Sequence, residues 1–250
     1  MASIKTAFLM VLLAIPASAQ MQGVFSGVLN PQPIVTPTFT AIQGKYYNPG
    51  YPGSSLTMVL TLASAPATGH AVLCGFDVYT GAATAPTVSI ADGNSNAYTI
   101  TPSSPESTYA TTAGFLYLAY LQSAPSNASA TITVTSSLTI VAGDLRCNEF
   151  SDSAGTQAFD KDIPGSGSSG TAINSPGISP TNTGSLLYGY TVAPSGITSA
   201  NSPWTQDLAG ISTADLDGEY ILSSSSGTTD INFTSPSSTT WEGMAISFAP

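Results

Sequence analysis

Short β-branched and apolar runs recur along this chain, separated by clusters of Gly, Pro, Ser and Asn. Examples are "SLTMVLTLA" from Ser55, "GFLYLAYLQ" from Gly114 and "ATITVTS" from Ala130. Helical periodicity is almost absent after the N-terminal segment. β-Branched and aromatic residues between turn-forming residues are typical of strands. The sequence therefore predicts an all-β fold, an antiparallel, jelly-roll-like β-sandwich of about a dozen short strands.

The N-terminus has the pattern of a secretory signal peptide. Lys5 precedes the apolar segment 7–17, and Ala17-Ser18-Ala19 forms a cleavage site. We expect a signal peptide over residues 1–19, cleaved after Ala19, and a product that is secreted to the extracellular space or the cell surface. No later segment has the roughly 20 apolar residues of a membrane-spanning helix, so we expect no membrane insertion.

The remaining chain divides into two regions. Residues 20–53 are rich in proline and predict an arm or an edge strand, and residues 54–250 predict the sandwich domain. Within that domain, residues 151–184 contain "PGSGSSGTAINSPGISPTNTG". Gly, Pro and Ser clusters of this kind break regular structure, so this segment predicts a long loop.

The charge of the chain excludes several partners. It carries 14 Asp and Glu residues against 4 Lys and Arg residues, a formal net charge of −10. An acidic chain without a basic patch cannot neutralise phosphates, so we expect no nucleic-acid partner and no binding to anionic lipid.

The chain has two cysteines, Cys74 and Cys147. In an exported protein they predict one disulfide, with two free buried thiols as the alternative. If the two residues face each other on antiparallel neighbouring strands, Arg146 lies opposite Gly75. Asp144 and Asp77 then also face each other, and the arginine would hold these two carboxylates together. A bridge between two different sheets would break this register.

One series of segments resembles a widespread group of uncharacterised exported bacterial β-sandwich proteins. The segments are "TVSIADGNSNAYTI", "FLYLAYL", "ATITVT" and "CNEFSD", followed by a strand with Trp241 and "AISF". The group has a D-x-x-G-N-x-Y hairpin, a Y-x-A strand, a T-V-T-V-T strand, an E-Y-S-G segment and a V-A-F strand in this order. The resemblance covers roughly residues 55–250 but departs at Phe150 and Asp152, which replace Tyr and Gly. It implies a β-sandwich fold and an extracellular setting, and it brings no catalytic residue.

Enzyme chemistry has little support in the sequence. His70 is the only histidine, and on one strand it lies about 13 Å from Cys74, too far to activate the thiol. Paired carboxylates, as in glycosidases, remain an alternative. Glu149 and Glu242 are the candidates, because their strand parity predicts that they point inward, where burial would raise a pKa. The other interpretation places both at a solvated rim.

Metal binding is also a minority interpretation. "DGNSN" from Asp92 lacks the glycine and the glutamate that an EF-hand loop needs later, and a hairpin turn explains it better. "DLDGE" places Asp215, Asp217 and Glu219 at alternate positions. We expect no cofactor, and we leave open a structural calcium ion at these three residues.

The remaining residues that could indicate a function are aromatic side chains in segments rich in turn-forming residues. Tyr46, Tyr47 and Tyr51 lie in a Pro/Gly-rich segment and Trp204 lies in "NSPWTQD", so exposed rings at these positions could stack on sugars. Packing of these rings onto the sandwich is the alternative. The leading hypothesis is a non-catalytic extracellular recognition protein that binds glycan or a cell-envelope component, as in adhesion. The alternatives are a self-associating structural subunit of a surface layer or appendage, and a carboxylate-dependent polysaccharide-degrading enzyme.

Overall fold

The computed structural model describes residues 38–47, 54–107, 114–174, 177–193, 195–209, 216–225 and 227–250. The predicted signal peptide with Ala19 and most of the predicted Pro-rich arm lie outside the described residues. Within the described residues no helix is long and apolar enough to cross a membrane. The strands in chain order are β1 (Phe39–Tyr47), β2 (Ser55–Thr61), β3 (Ala71–Tyr79), β4 (Val88–Asp92), β5 (Thr99–Ile100), β6 (Glu106–Ser107), β7 (Gly114–Leu121), β8 (Thr131–Ile140), β9 (Ala142–Asp152), β10 (Ala158–Asn174), β11 (Leu186–Val192), β12 (Ser199–Ala200), β13 (Thr205–Gln206), β14 (Leu216–Ile221) and β15 (Asn232–Ala249).

One sheet lies in the middle of the structure, and we call it the central sheet. Its strand order is β1-β9-β3-β7-β5, and β6 also pairs with β7. Most residues of β3, β7 and β9 are buried whichever face they point to. A strand that is covered on both faces has no polar alternation, which explains the nearly continuous apolar runs "AVLCGF" and "FLYLAYL".

A three-stranded sheet of order β2-β8-β4, the small sheet, covers one face of the central sheet. Buried and exposed residues alternate along β2 and along the first half of β8. The inward residues include Met58, Leu60, Ile132 and Val134, which pack with the central strands in one core cluster. Alternation of this kind is expected of an antiparallel sheet with one face in solvent.

A third sheet, the long-strand sheet, covers the other face. Its order is β10-β15-β11-β14-β13, with β12 paired to β15. Tyr188, Tyr190 and Ile246 from this sheet pack in one core cluster with Leu73 and Leu116 from the central sheet. Every strand pairing in the three sheets is antiparallel within the described residues. The predicted all-β antiparallel sandwich is therefore confirmed.

The predicted long loop over residues 151–184 is wrong for half its length. The segment Ala158–Asn174 forms β10, which pairs with β15 along most of its course. β10 lies at the edge of the long-strand sheet, where a proline such as Pro164 is tolerated because one side of the strand needs no donor. Gly167 is required because a Cβ there would lie 2.5 Å from the Trp241 ring. Composition alone does not reveal these edge positions.

The disulfide Cys74–Cys147 joins β3 to β9 within the central sheet, with Cα atoms 4.1 Å apart. Both residues are fully buried. The pairing register places Cys74 opposite Cys147, Gly75 opposite Arg146 and Asp77 opposite Asp144. This is the register that the sequence predicts if the two cysteines face each other on neighbouring strands.

Gly75 is a position where the central and long-strand sheets lie in close contact. A Cβ atom at Gly75 would lie 2.3 Å from the Tyr190 ring. Tyr190 is fully buried in the core between these sheets, so its ring has little room to move. The absence of a side chain at Gly75 allows Tyr190 to lie against the backbone of β3.

We predict that Gly75→Ala lowers the free energy of unfolding by about 2–3 kcal/mol, because overpacked cores lose stability on this scale. Urea denaturation followed by tyrosine and tryptophan fluorescence would measure the change. Gly227→Ala is the control, since a Cβ there meets only Ser225 Oγ at 3.7 Å. Equal stability of the two variants would contradict the prediction.

Candidate functional site

Arg146 is buried between the central and long-strand sheets, with no solvent exposure. Its Nη1 donates to Asp217 Oδ1 at 2.6 Å, and its Nε lies 3.3 Å from Asp207 Oδ2. Both carboxylates are themselves buried. Asp217 lies in β14 of the long-strand sheet and Asp207 directly follows β13, whereas Arg146 lies in β9 of the central sheet. The arginine therefore joins two sheets by charge.

Polar groups from both sheets complete this network. Asn148 donates to Asp207 Oδ2 at 2.8 Å, and the Tyr188 hydroxyl donates to the same oxygen at 3.1 Å. Gln206 donates to Asp217 Oδ1. Burial raises the pKa of Asp207, and it raises the pKa of Asp217 to about 7, although Arg146 lowers both. Both carboxylates thus accept hydrogen bonds from donors of the protein.

Arg146 also contacts the N-terminal edge strand. Its guanidinium carbon lies 5.2 Å from the centroid of the Tyr46 ring, a cation–π distance. The Tyr46 hydroxyl donates to Asp144 Oδ1 at 2.8 Å, and the Asp144 backbone N–H donates to Asp77 Oδ1 at 2.7 Å. The facing pair Asp77 and Asp144 therefore adjoins the arginine, but the strong ion pairs of Arg146 with Asp207 and Asp217 were not apparent in the sequence.

We predict that Arg146→Met destabilises the protein by about 3–5 kcal/mol at pH 8, because it leaves two buried carboxylates without their cation. The loss should be smaller at pH 5, where protonation removes part of that charge. Urea unfolding at both pH values measures the effect. Lys161→Met removes the same charge from a half-exposed side chain and should change stability by less than about 0.5 kcal/mol. Similar losses in both variants would contradict the prediction.

Glu149, one of the two catalytic candidates, is 1% exposed. Its Oε1 accepts from the Ala67 backbone N–H at 2.9 Å and lies 2.6 Å from His70 Nδ1. Its Oε2 accepts from Gln43. Both carboxylate oxygens are thus occupied by groups that attach β1 and the segment before β3 to β9. This arrangement is that of a structural carboxylate.

Glu242, the other candidate, lies on the opposite side of the central sheet. It shares a face with Met244 of the core between the central and long-strand sheets. Burial raises its pKa to about 8, with a smaller contribution from the charge of Glu106. Glu106 lies in the cross-strand row that contains Asp144, and Glu149 is five residues along β9 from that row, about 17 Å away. Catalytic carboxylate pairs lie roughly 5–10 Å apart, so these two glutamates do not form one.

Glu242 should make stability depend on pH. A carboxyl with a pKa of about 8 in the folded state and about 4.5 when unfolded contributes most at low pH, and this contribution is lost as pH rises through 8. Glu242→Gln should therefore flatten the fall in unfolding free energy between pH 5 and pH 9, by up to about 1.4 kcal/mol per pH unit.

Urea titrations at several pH values would measure this difference. Glu106→Gln is the companion variant, because removing the neighbouring charge should move the midpoint of the Glu242 effect to lower pH without abolishing it. Identical pH profiles for wild type and Glu242→Gln would contradict the assignment of a protonated, buried Glu242.

The candidate metal residues are only partly described, because Asp215 lies outside the described residues. Asp217 holds Arg146, and Glu219 Oε1 accepts from the Asn232 backbone N–H at 2.7 Å. Burial raises the pKa of Glu219 to about 9. In the described part of the chain, no three His, Cys, Asp or Glu side chains form a group that could hold a metal. Asp92 closes the β4–β5 turn by accepting from Asn94, Asn96 and Ser129.

Of the four predicted aromatic binding residues, the three that the structure describes do not form one exposed surface. Trp204 is only 5% exposed, and its indole N–H donates to the Asp230 carbonyl oxygen at 2.6 Å. The expected exposure of this ring is wrong, because it packs into a core cluster on the outer side of the long-strand sheet. Tyr47 packs against the core under the small sheet, and Tyr46 is engaged with Arg146 and Asp144. Tyr51 lies outside the described residues.

A different exposed surface exists on the solvent side of the small sheet. Two cross-strand rows run over β2, β8 and β4, and a third runs over β2 and β8. We call this surface the threonine face; its rows are Thr57–Thr135–Ser89, Val59–Thr133–Ala91 and Thr61–Thr131. Positions in a row are about 4.8 Å apart, and rows are about 6.6 Å apart. The alternating threonines of "TITVT" in β8 are the sequence signal that could have identified this surface.

The threonine face is uncharged. β2 and β8 contain no charged residue, and Asp92, the only one in β4, is buried beneath the sheet. Val59 is 42% exposed and Leu56, at the start of β2, is 51% exposed. Hydroxyl and methyl groups are therefore exposed together on a protein whose formal net charge is −10.

The sequence matches no protein-family model and no curated protein. The resemblance to exported bacterial β-sandwich proteins therefore stays a prediction.

Proposed function

We propose that this protein is an extracellular, non-catalytic recognition module that binds an uncharged glycan of the cell envelope or the surroundings through the threonine face. The observation that carries the proposal is the neutral, hydroxyl-rich surface of the small sheet on an otherwise acidic protein. A neutral surface carries no electrostatic penalty towards a neutral ligand, and threonine offers both a hydroxyl for hydrogen bonds and a methyl for apolar contact.

The size of the face favours a chain-like ligand over a second copy of the protein. Between Cα atoms it measures about 10 Å across three strands and about 13 Å along β8. Even with side chains added, this is a few hundred Å², well below the roughly 800 Å² per partner of a stable protein interface. An array of hydroxyl and methyl groups with regular spacing suits an extended polysaccharide with a repeating surface.

An extracellular setting is supported by the signal-peptide pattern at residues 1–19 and by the disulfide, since disulfides persist in oxidising compartments. The chemistry of the described carboxylates is the reason to prefer binding over hydrolysis. Glu149 is saturated by donors from the protein, and Glu242 lies on the other side of the central sheet.

We predict that the protein binds an insoluble neutral polysaccharide, with cellulose, chitin and purified cell-wall sacculi as the probes, and that Thr133→Glu weakens binding at least tenfold. The substitution places a charge in the middle row of the face. Depletion isotherms with each polysaccharide would measure the affinity. Thr205→Glu makes the same change at an exposed position of β13 and should leave binding unchanged.

Failure of the wild type to bind any of these polysaccharides, or equal binding by both variants, would contradict the proposal. Sedimentation velocity over a range of protein concentrations addresses the structural alternative. Concentration-dependent assembly that Thr133→Glu abolishes would favour a self-associating subunit instead.

A further inference from the structure

Strand β2 forms an edge of the small sheet that lacks the usual protection against pairing with another chain. Among the described residues it pairs with β8 alone, so one side of its backbone has no strand partner there. The segment Ser55–Thr61 contains no proline and no charged residue. Its one irregularity of pairing lies at its start, between Ser55 and Thr57. A long, uncharged edge is a template for a further strand.

The other strands at sheet edges carry protective features. β1 has Lys45 and one register shift, and β10 has Lys161, Pro164 and several register shifts. β5, β6, β12 and β13 have only two residues each. β4, at the far edge of the small sheet, is joined to residues 96–98 of its own chain by backbone hydrogen bonds. Charges, prolines, bulges and short strands prevent edge pairing, so β2 is the edge at which pairing is expected.

The sequence of β2 is complementary to a second copy of itself. Antiparallel pairing centred on Met58 gives all seven residues a partner, with Thr57 opposite the partner's Val59 and Leu56 opposite the partner's Leu60. Odd-numbered residues then face odd-numbered residues, so the solvent side and the core side of the strand both continue across the contact. Leu56 has the parity of the buried Met58 but is 51% exposed. The pairing would cover part of its side chain.

Charge also favours this edge as the contact between two copies. The formal net charge of −10 makes copies of the protein repel each other over most of their surface. Like charges directly opposite each other destabilise a strand pair. Because neither β2 nor β8 contains a charged residue, pairing through β2 places no like charges in opposition.

We propose that two copies of this protein pair through β2 and form one continuous six-stranded sheet of order β4-β8-β2-β2-β8-β4. The two-fold axis is perpendicular to this sheet, so both threonine faces lie on the same side. The row Ser89–Thr135–Thr57 continues into the row Val59–Thr133–Ala91 of the partner subunit. The combined face measures about 24 Å across its six strands. Residues 96–98 occupy the edge of β4, so the association ends at two copies.

The size of the contact predicts a weak dimer. Seven paired residues span about 23 Å, and one strand pairing buries a few hundred Å², less than the roughly 800 Å² per partner of a stable interface. A long polysaccharide that contacts both threonine faces would strengthen the dimer, because the second contact becomes intramolecular. This consequence rests on the proposed glycan binding, whereas the dimer itself does not.

Sedimentation velocity without polysaccharide, at protein concentrations from about 1 μM to about 1 mM, tests the dimer. We expect a reversible monomer–dimer equilibrium. Leu56→Lys should weaken it at least tenfold, because an inward-pointing charge opposes edge pairing, although the substitution reduces the net negative charge. Thr205→Lys introduces the same charge at an exposed position of β13 and should keep the wild-type equilibrium.

Cysteine cross-linking tests the register. A mixture of the Thr57→Cys and Val59→Cys proteins should form disulfide-linked dimers under mild oxidation, because facing Cα atoms lie about 5 Å apart. Neither protein alone should do so, since the two copies of one position lie about 8 Å apart, beyond the reach of a disulfide. Equal cross-linking in the mixture and in the separate proteins would contradict pairing centred on Met58.

Three results would overturn the proposal. The first is a monomer at every concentration; hydrogen exchange that finds all β2 amides protected in this monomer would show that another segment of the chain covers the edge. The second is equal association of Leu56→Lys and Thr205→Lys, which would place the contact elsewhere. The third is assembly beyond two copies. Thr133→Glu should keep the dimer and lose polysaccharide binding, so failure of the dimer is distinguishable from failure of the glycan proposal.

Discussion

The packing of the two large sheets depends on the pairing of the buried Arg146 guanidinium with Asp217 and Asp207. Arginine cannot lose its proton in a protein, so a fully buried guanidinium must be met by carboxylates that are buried with it. Those carboxylates lie in and beside the long-strand sheet. The two sheets can therefore pack closely only in the arrangement that brings Asp217 and Asp207 to β9, whereas apolar contacts alone would tolerate small shifts.

The central sheet supplies apolar residues to the cores on both of its faces. Its strands β3, β7 and β9 are covered on both faces, so each of their apolar residues contributes to a core whichever way it points. The small sheet contributes one apolar face to a core. The outer face of the long-strand sheet is covered by neighbouring segments, such as the one that contains Trp204. Serine, threonine and glycine can then dominate the rest of the chain, including the threonine face. The longest apolar runs are concentrated in the strands that are buried most.

The strand pattern and the register around the disulfide could be predicted from the sequence, because alternation and cross-strand pairing follow from local rules. The same rules misjudged β10, where edge pairing to β15 overrides a composition of Gly, Ser and Pro. They also misjudged Trp204, because its burial depends on a distant segment around Asp230. The partners of Arg146 come from residues 61 and 71 positions away, which no local pattern reveals. The alternating threonines of the threonine face are visible in "TITVT", but this segment has no charge or motif that marks it as a functional surface.

The position of the disulfide has a consequence for the chemistry of the folded protein. Cys74 and Cys147 lie on two neighbouring inner strands of a sheet that is covered on both sides, and both residues are fully buried. Thiol exchange requires an attacking thiolate to approach one of the sulfurs. A small reductant can therefore act only on molecules that have opened far enough to separate the sheets. The rate of disulfide reduction under native conditions would therefore measure how often the sheets separate.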